Sequence, residues 1–516
     1  MCCRERVFTK MKSKSRDGRH KTPWVWPVLL VGIPLYLYVN LFAFRNIPFH
    51  LDGDQTFFWA YALRMLHGDL IYRDFFQFTP PGTDLFFLAL FKLFGPRIWV
   101  MNSAVLLLGA ALCGICFSIA KRLMDRDMAM LATLFFLVFV YSRLLDATHH
   151  WFSLLALLCA VRVVMPEWTG LRSAIAGTLL GVASFFTQTA GVAGLIALLL
   201  SLAWERLGAK KSWRGIIGYQ LMLLAAFGLT VGALDAYLIT KIGWRQLWYF
   251  LVVYPRHYVE FGRQNLFPGF HAALTWRTLP DLTRRLFVYV LLLILYPSVL
   301  WHCWRERSQA APRNVMQLSL LGLMLLLEVI TRTNWVRIYA VSAPALILLA
   351  WVIARRFKPR RYVLAAGWAI VACLAVVQTW SRHHDGRRMI ELPAGKTVLS
   401  TQKYEKFSWL MQHTKPGDFF YQALWVNVYP PLELRSPVFL DVLISDEDTR
   451  PEFVALSLRQ LERAQVKYIL WSPMLNGPLD PGRPWEYHLG PLRAYLLNHY
   501  ARVQVFSDQD EVWQRD

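Results

Sequence analysis

The sequence predicts a polytopic α-helical membrane protein with a soluble α/β domain at its C-terminal end. Three observations predict it. Of 516 residues, 56% are hydrophobic and only 17% are charged, with a mean hydropathy of +0.33, whereas soluble proteins average roughly 25% charged residues. Apolar runs of about 20 residues, enough to cross a bilayer as a helix, recur through the first 380 residues. The remaining stretch, 381–516, alternates short apolar segments with amphipathic ones.

The formal net charge of +22 does not mark a nucleic-acid binder. Residues 381–516 hold 16 Lys/Arg against 17 Asp/Glu, so the basic excess lies in the first 380 residues. It falls mostly between apolar runs: in the tail 1–23, at Lys121-Arg122, at Lys210-Lys211 and across 355–361. Short Lys/Arg-rich loops stay in the cytoplasm. Nucleic-acid binding needs a basic face on a folded domain, and none is present. The seven cysteines form no disulfide framework. Cys113 and Cys116, one helical turn apart in an apolar run, read as small packing residues.

The apolar runs give about eleven spans, near 24–44, 99–120, 129–145, 149–165, 172–187, 190–206, 215–240, 284–303, 315–331, 335–354 and 361–380. If residues 1–23 form a basic cytoplasmic tail, alternate loops must also be cytoplasmic, and those loops carry the basic clusters. The parity puts 45–98, 241–283 and 381–516 on the outer side. Within 45–98, Phe57–Tyr61 and Asp84–Phe91 are amphipathic and are expected to lie in the interface plane. In 381–516, strands at 396–400, 418–421 and 467–471 alternate with helices at 402–413 and 452–465, which suggests a small, mostly parallel sheet.

The chemistry concentrates at the outer ends of these spans. Asp52-Gly53-Asp54 follows the first span, where partial desolvation raises a carboxylate pKa and improves it as a base. Asp146 falls at the outer end of the third span, with His149 and His150 beside it, and acids near membrane depth are usually functional. These residues make no recognisable zinc motif. Arg332, Arg337 and Tyr339 sit at the turn between the ninth and tenth spans, and Arg256 lies in 241–283. A planar guanidinium fork suits a phosphate, although an Arg at a helix end also simply snorkels. Asp446-Glu447-Asp448 reads as a solvated acidic loop.

These residues resemble the GT-C superfamily of membrane glycosyltransferases, in the branch of protein O-mannosyltransferases, the lipid A aminoarabinose transferase and RgtA/B/C/D-like enzymes. The resemblance rests on Asp52-Gly53-Asp54, on Ala62-Leu63-Arg64-Met65-Leu66-His67-Gly68-Asp69, and on Tyr72-Arg73-Asp74-Phe75 with Pro80-Pro81-Gly82. Leu144-Leu145-Asp146 and the Arg332 to Pro344 region extend it. It implies a sugar transferase acting at the outer face of a bacterial inner membrane, with a polyprenyl-phosphate-linked donor and a glycan, lipid or protein acceptor. The family spacing selects Asp54 over Asp52 as the base of an inverting single displacement. Asp146 would position the acceptor or help hold a divalent cation, with no cofactor certain. Arg332 and Arg337 would stabilise the leaving phosphate, and Tyr339, Tyr72, Asp74, His149, His150 and Arg256 are the further substrate-binding candidates. Two positions depart from the pattern. A Glu-Lys-Pro of some relatives reads Phe78-Thr79-Pro80 or Thr79-Pro80-Pro81, and a Thr-Lys pair reads Thr187-Gln188, so the resemblance fixes neither a metal nor a phosphate-binding scheme. A flippase or transporter for a lipid-linked glycan, and a non-catalytic scaffold, are the alternative readings.

Overall fold

Helices dominate the first three quarters of the chain, as its apolar runs require. The computed structural model describes residues 24–208, 213–256, 293–306, 313–329, 335–357, 360–384, 386–443, 449–478 and 487–516. Each apolar run read from the sequence carries helix in its described residues. Among the described residues, four helices are long and apolar enough to cross a membrane: Ile98–Leu123, Gln188–Glu205, Arg214–Ile242 and Arg361–His384. Val25–Leu41, His149–Val164 and Gly170–Phe186 are shorter apolar helices. The close pair Gly170–Phe186 and Gln188–Gly208 is broken at Thr187, whose backbone is extended. Cys113 and Cys116 are buried, free thiols inside Ile98–Leu123.

The amphipathic stretches of the first loop form the helices Gln55–Leu66 and Gly82–Phe94. The first does not lie with one face in an interface plane. Nine of its twelve residues are buried, because the C-terminal region folds down over it. Arg64 pairs with Asp441 and donates to the Val438 carbonyl at 2.6 Å. Phe76 N donates to Phe439 O at 2.8 Å, and the Phe76 ring packs against Tyr254, Phe439 and Phe453. This aromatic cluster joins the loop, the 244–256 segment and the C-terminal region into one apolar core.

The C-terminal region departs from the expected parallel sheet. Strand Gly395–Ser400 pairs antiparallel with Arg387–Leu392 in a separate hairpin. The main sheet has four strands, in the order Tyr421–Gln422, Tyr468–Trp471, Glu511–Arg515, Tyr500–Val505. Only its first pairing is parallel. The final strand inserts between two earlier ones, a placement that local periodicity does not encode. Helices Thr401–His413 and Pro451–Ala464 lie where the sequence put them. The hairpin clamps the chain just ahead of the acid pair: His50 N donates to Val398 O at 3.1 Å and Thr397 Oγ1 to Pro48 O at 2.9 Å.

Candidate active site

The acid loop takes its shape from Gly53 and the start of helix Gln55–Leu66. Gly53 has a φ of +97°, a left-handed conformation that glycine adopts without a steric penalty. Its carbonyl accepts from Thr56 Oγ1 at 2.8 Å. Asp54 occupies the N-cap position, yet its side chain makes no capping hydrogen bond. The carboxylate is thus left to the space in front of it, beside helix amides that favour negative charge.

Asp146 arrives from a different element. Helix Arg126–Phe135 loosens into a π turn, Phe136–Val140, and a 3-10 turn, Tyr141–Arg143, before helix His149–Val164 begins. Tyr141 presses against Gly109, where a Cβ would have no room, and donates its hydroxyl to Val105 O at 2.6 Å. Trp151 Nε1 donates to Asp146 Oδ1 at 2.7 Å. Gln55, fully buried, staples the two acid loops together: its Oε1 accepts from Ala147 N at 3.1 Å and its Nε2 donates to Asp52 O at 3.3 Å.

Asp52, Asp54 and Asp146 consequently line one cavity of about 560 Å³, together with Arg143, Arg382 and Arg387. The three carboxyls sit in different environments. Burial pushes Asp52 up, but His50 and Lys403 outweigh it and hold the carboxyl well below the usual range. Lys403 forms an ion pair with it, while His50 Nε2 stands 3.5 Å away, at ion-pair distance but outside hydrogen-bond geometry. Burial raises Asp54, opposed only in part by Arg337. Asp146, 6% exposed, is raised further by burial and then by the charge of Asp54. Environments that push neighbouring carboxyls apart are how one site holds a base beside a neutral acid.

The other expected residues divide. Arg337, on helix Trp335–Val341, acts electrostatically on Asp54, His149, His150 and Glu328, and its neighbour Val336 lines the cavity. The His149 and His150 rings lie against one another, tilted by 38° with centroids 3.9 Å apart. Tyr339 is buried on the same short helix as Arg337. Tyr72 and Asp74 are not brought to the cavity. Tyr72 donates its hydroxyl to Thr79 O at 2.6 Å and stacks on Phe250, and Asp74 pairs with Arg73 and accepts from Leu70 N. Arg256 is exposed and does not line the cavity. Arg332 and the run Asp446-Glu447-Asp448 lie outside the described residues. Among the described residues, no three His, Cys, Asp or Glu side chains are grouped to hold a metal ion.

Sequence reasoning missed Gln55, Trp151, Arg143, Arg382, Arg387, His50 and Lys403. Gln55 carried a legible signal, since it directly follows the acid pair. The arginines at 382 and 387 had the appearance of an ordinary basic helix end.

No family model matches the chain, and neither does any curated protein. Solved structures do. ArnT from Cupriavidus metallidurans bound to undecaprenyl phosphate matches with a TM-score of 0.57 at 14% identity, covering 96% of this chain and 98% of that one. Its apo state gives 0.56 at 14%, with 95% and 98% covered. The Archaeoglobus fulgidus oligosaccharyltransferase in complex with Zn and sulfate gives 0.53 at 11%, with 94% and 73% covered. The likeness spans nearly the whole chain: this membrane protein has the fold of the GT-C glycosyltransferases, as its acid loop and arginines had suggested.

Proposed function

We propose that the chain transfers a sugar from a polyprenyl-phosphate-linked donor to an acceptor hydroxyl at the outer face of a bacterial inner membrane. In this reading the N-terminus is cytoplasmic, about eleven helices span the bilayer, and residues 381–516 form a soluble outer domain. The observation that carries it is the meeting of Asp54 and Asp146 in one arginine-lined cavity, within a fold shared with two glycosyltransferases.

Asp54 is the base. Its carboxylate is uncommitted to capping, and the raised pKa makes it a stronger proton acceptor than Asp52, which Lys403 and His50 hold as a stable anion. As Asp54 takes the acceptor's hydroxyl proton, that oxygen attacks the anomeric carbon from the face opposite the phosphate. The new glycosidic C–O bond forms while the old C–O bond to phosphate breaks, and its electron pair leaves with the lipid phosphate. The single displacement inverts the anomeric centre and needs no enzyme nucleophile. Asp146, held toward its neutral form, orients the acceptor. Arg337 supports the site electrostatically, since preorganised charge at a developing anion is typically a large catalytic contribution.

The test is transfer from a polyprenyl-phosphate sugar in membranes carrying the protein. Asp54→Asn is expected to lower transfer roughly 10²- to 10⁴-fold, the usual contribution of a general base. Undiminished transfer by Asp54→Asn, or movement of lipid-linked glycan across the bilayer with no new glycosidic bond, would overturn the reading.

A further inference from the structure

We infer that a groove between the helical segment 293–305 and helix Ala343–Arg356 binds an acidic glycerophospholipid of the bilayer, its phosphate held at Arg355 and Arg356 and its acyl chains along an apolar floor. The groove lies at the opposite end of the helix bundle from the acid-lined cavity and does not depend on the transferase reading.

The chain itself separates the two sites. Val336 lines the acid cavity on helix Trp335–Val341, and helix Ala343–Arg356 begins directly after it. From Ala343 to Arg355 the axis advances about 18 Å, at 1.5 Å per residue. Arg355 and Arg356 form the exposed last turn of that helix. On the neighbouring segment Trp301 and Trp304 are 64% and 43% exposed, and indoles gather where hydrocarbon meets head groups. In the orientation proposed above this is the cytoplasmic leaflet, whose anionic lipids attract basic groups at the membrane surface.

The groove encloses about 340 Å³. Leu295 and Val299, one turn apart and buried, floor it together with the half-buried Val352. Ile294 also lines it and is 59% exposed, so the floor opens sideways to the lipid phase. At the other end the Arg355 guanidinium lies over the Trp351 ring at 4.9 Å. Trp351 is buried and packs on His302 with ring centroids 5.9 Å apart. A basic side chain that only snorkels extends to water, whereas this one is folded back onto a wall of the groove. Glu306 stands 3.3 Å from His302, and among the described residues the lining carries two guanidiniums and no carboxylate. Cationic at the interface and apolar beside it, the groove matches a lipid with an anionic phosphate and two acyl chains. A zwitterionic head group would bring a second cation against the arginines, which like charges disfavour.

The experiment titrates the full chain in detergent micelles with phosphatidylglycerol, phosphatidylcholine and soluble glycerol 3-phosphate, and reads bound molecules by native mass spectrometry. Phosphatidylglycerol is expected to saturate and to bind more tightly than phosphatidylcholine, with glycerol 3-phosphate unbound at the same concentrations. The Arg355→Ala/Arg356→Ala double variant should bind phosphatidylglycerol roughly thirtyfold more weakly, the effect of two basic groups at a lipid surface. Ser298→Trp, at an exposed lining position, should also weaken it, because the indole fills the floor while both charges remain. Arg305→Ala, exposed but outside the lining, should keep the wild-type affinity. Wild-type affinity in either the double variant or Ser298→Trp would overturn the assignment. So would equal binding of the two lipids, or glycerol 3-phosphate bound as tightly as phosphatidylglycerol, which would mark a site for soluble anions. A loss in Arg305→Ala equal to that of the double variant would overturn it too, as a diffuse surface-charge effect.

Discussion

The first loop carries two charged regions built from similar residues, and they have opposite fates. Around Arg64–Gln77 the buried polar side chains are satisfied by the protein itself. The Arg64 guanidinium donates to Asp69 at 2.8 Å, to Asp441, to Val438 O at 2.6 Å and to Asp74 O at 3.1 Å, and it sits over the Phe75 ring. Tyr72, Asp74 and Gln77 find partners within the loop. Around His50–Asp54, by contrast, Asp52 is clamped while Asp54, two residues on, makes no capping bond and faces a cavity. Charge density alone does not distinguish these regions. A site is marked by a group whose environment is polar enough to be built and open enough to be used.

Breaking the satisfied region should cost stability and spare chemistry. Arg64→Met leaves Asp441, whose side chain is only 2% exposed, as a buried carboxyl without its guanidinium. Removing one partner of a buried pair typically costs about 3–5 kcal/mol. The thermal midpoint of the solubilised chain should fall sharply, while transfer per folded molecule stays near wild type.

A smaller effect is expected at the clamp. Lys403→Met removes one of the two groups that depress Asp52. Because Asp52 is held low, its stabilisation is full above its unfolded pKa of about 3.9 and is lost as pH falls below that. The variant should therefore lose stability at neutral pH and show a flatter decline in acid. With the Asp52 side chain 45% exposed, solvent screening limits the change to below about 1 kcal/mol. Tyr72→Phe should have a stability effect of comparable size. It deletes the hydrogen bond to Thr79 O in a buried, stacked ring, about 0.5–1.5 kcal/mol, with no specific loss of transfer. A selective loss of transfer there would return Tyr72 to the substrate.

Much of this was legible in the residues. The helices follow from apolar runs, and the convergence of Asp54 with Asp146 was anticipated by placing both at the same ends of their spans. What the pattern could not supply is satisfaction. Tyr72 and Asp74 looked as available as Asp54, because the groups that occupy them, Thr79 O, Arg73 and Leu70 N, are recognisable as partners only once the loop has folded. Arg382 and Arg387 were hidden for the opposite reason, since a basic helix end is the default at a membrane boundary. The sheet misled because Glu511–Arg515 pairs with Tyr468–Trp471 across about 40 residues of chain, and strand order is a tertiary choice rather than a local one.

The most direct measurement is the pH dependence of kcat/KM for transfer from the lipid-linked sugar, in wild type, Asp54→Asn and Asp52→Asn. Asp54 as base requires the wild-type rate to fall as pH drops through a pKa above the ordinary carboxylate value of about 3.9. That limb should vanish in Asp54→Asn along with most of the rate, and persist in Asp52→Asn at a reduced rate. An unchanged limb and rate in Asp54→Asn, with their loss in Asp52→Asn, would contradict Asp54 as the base.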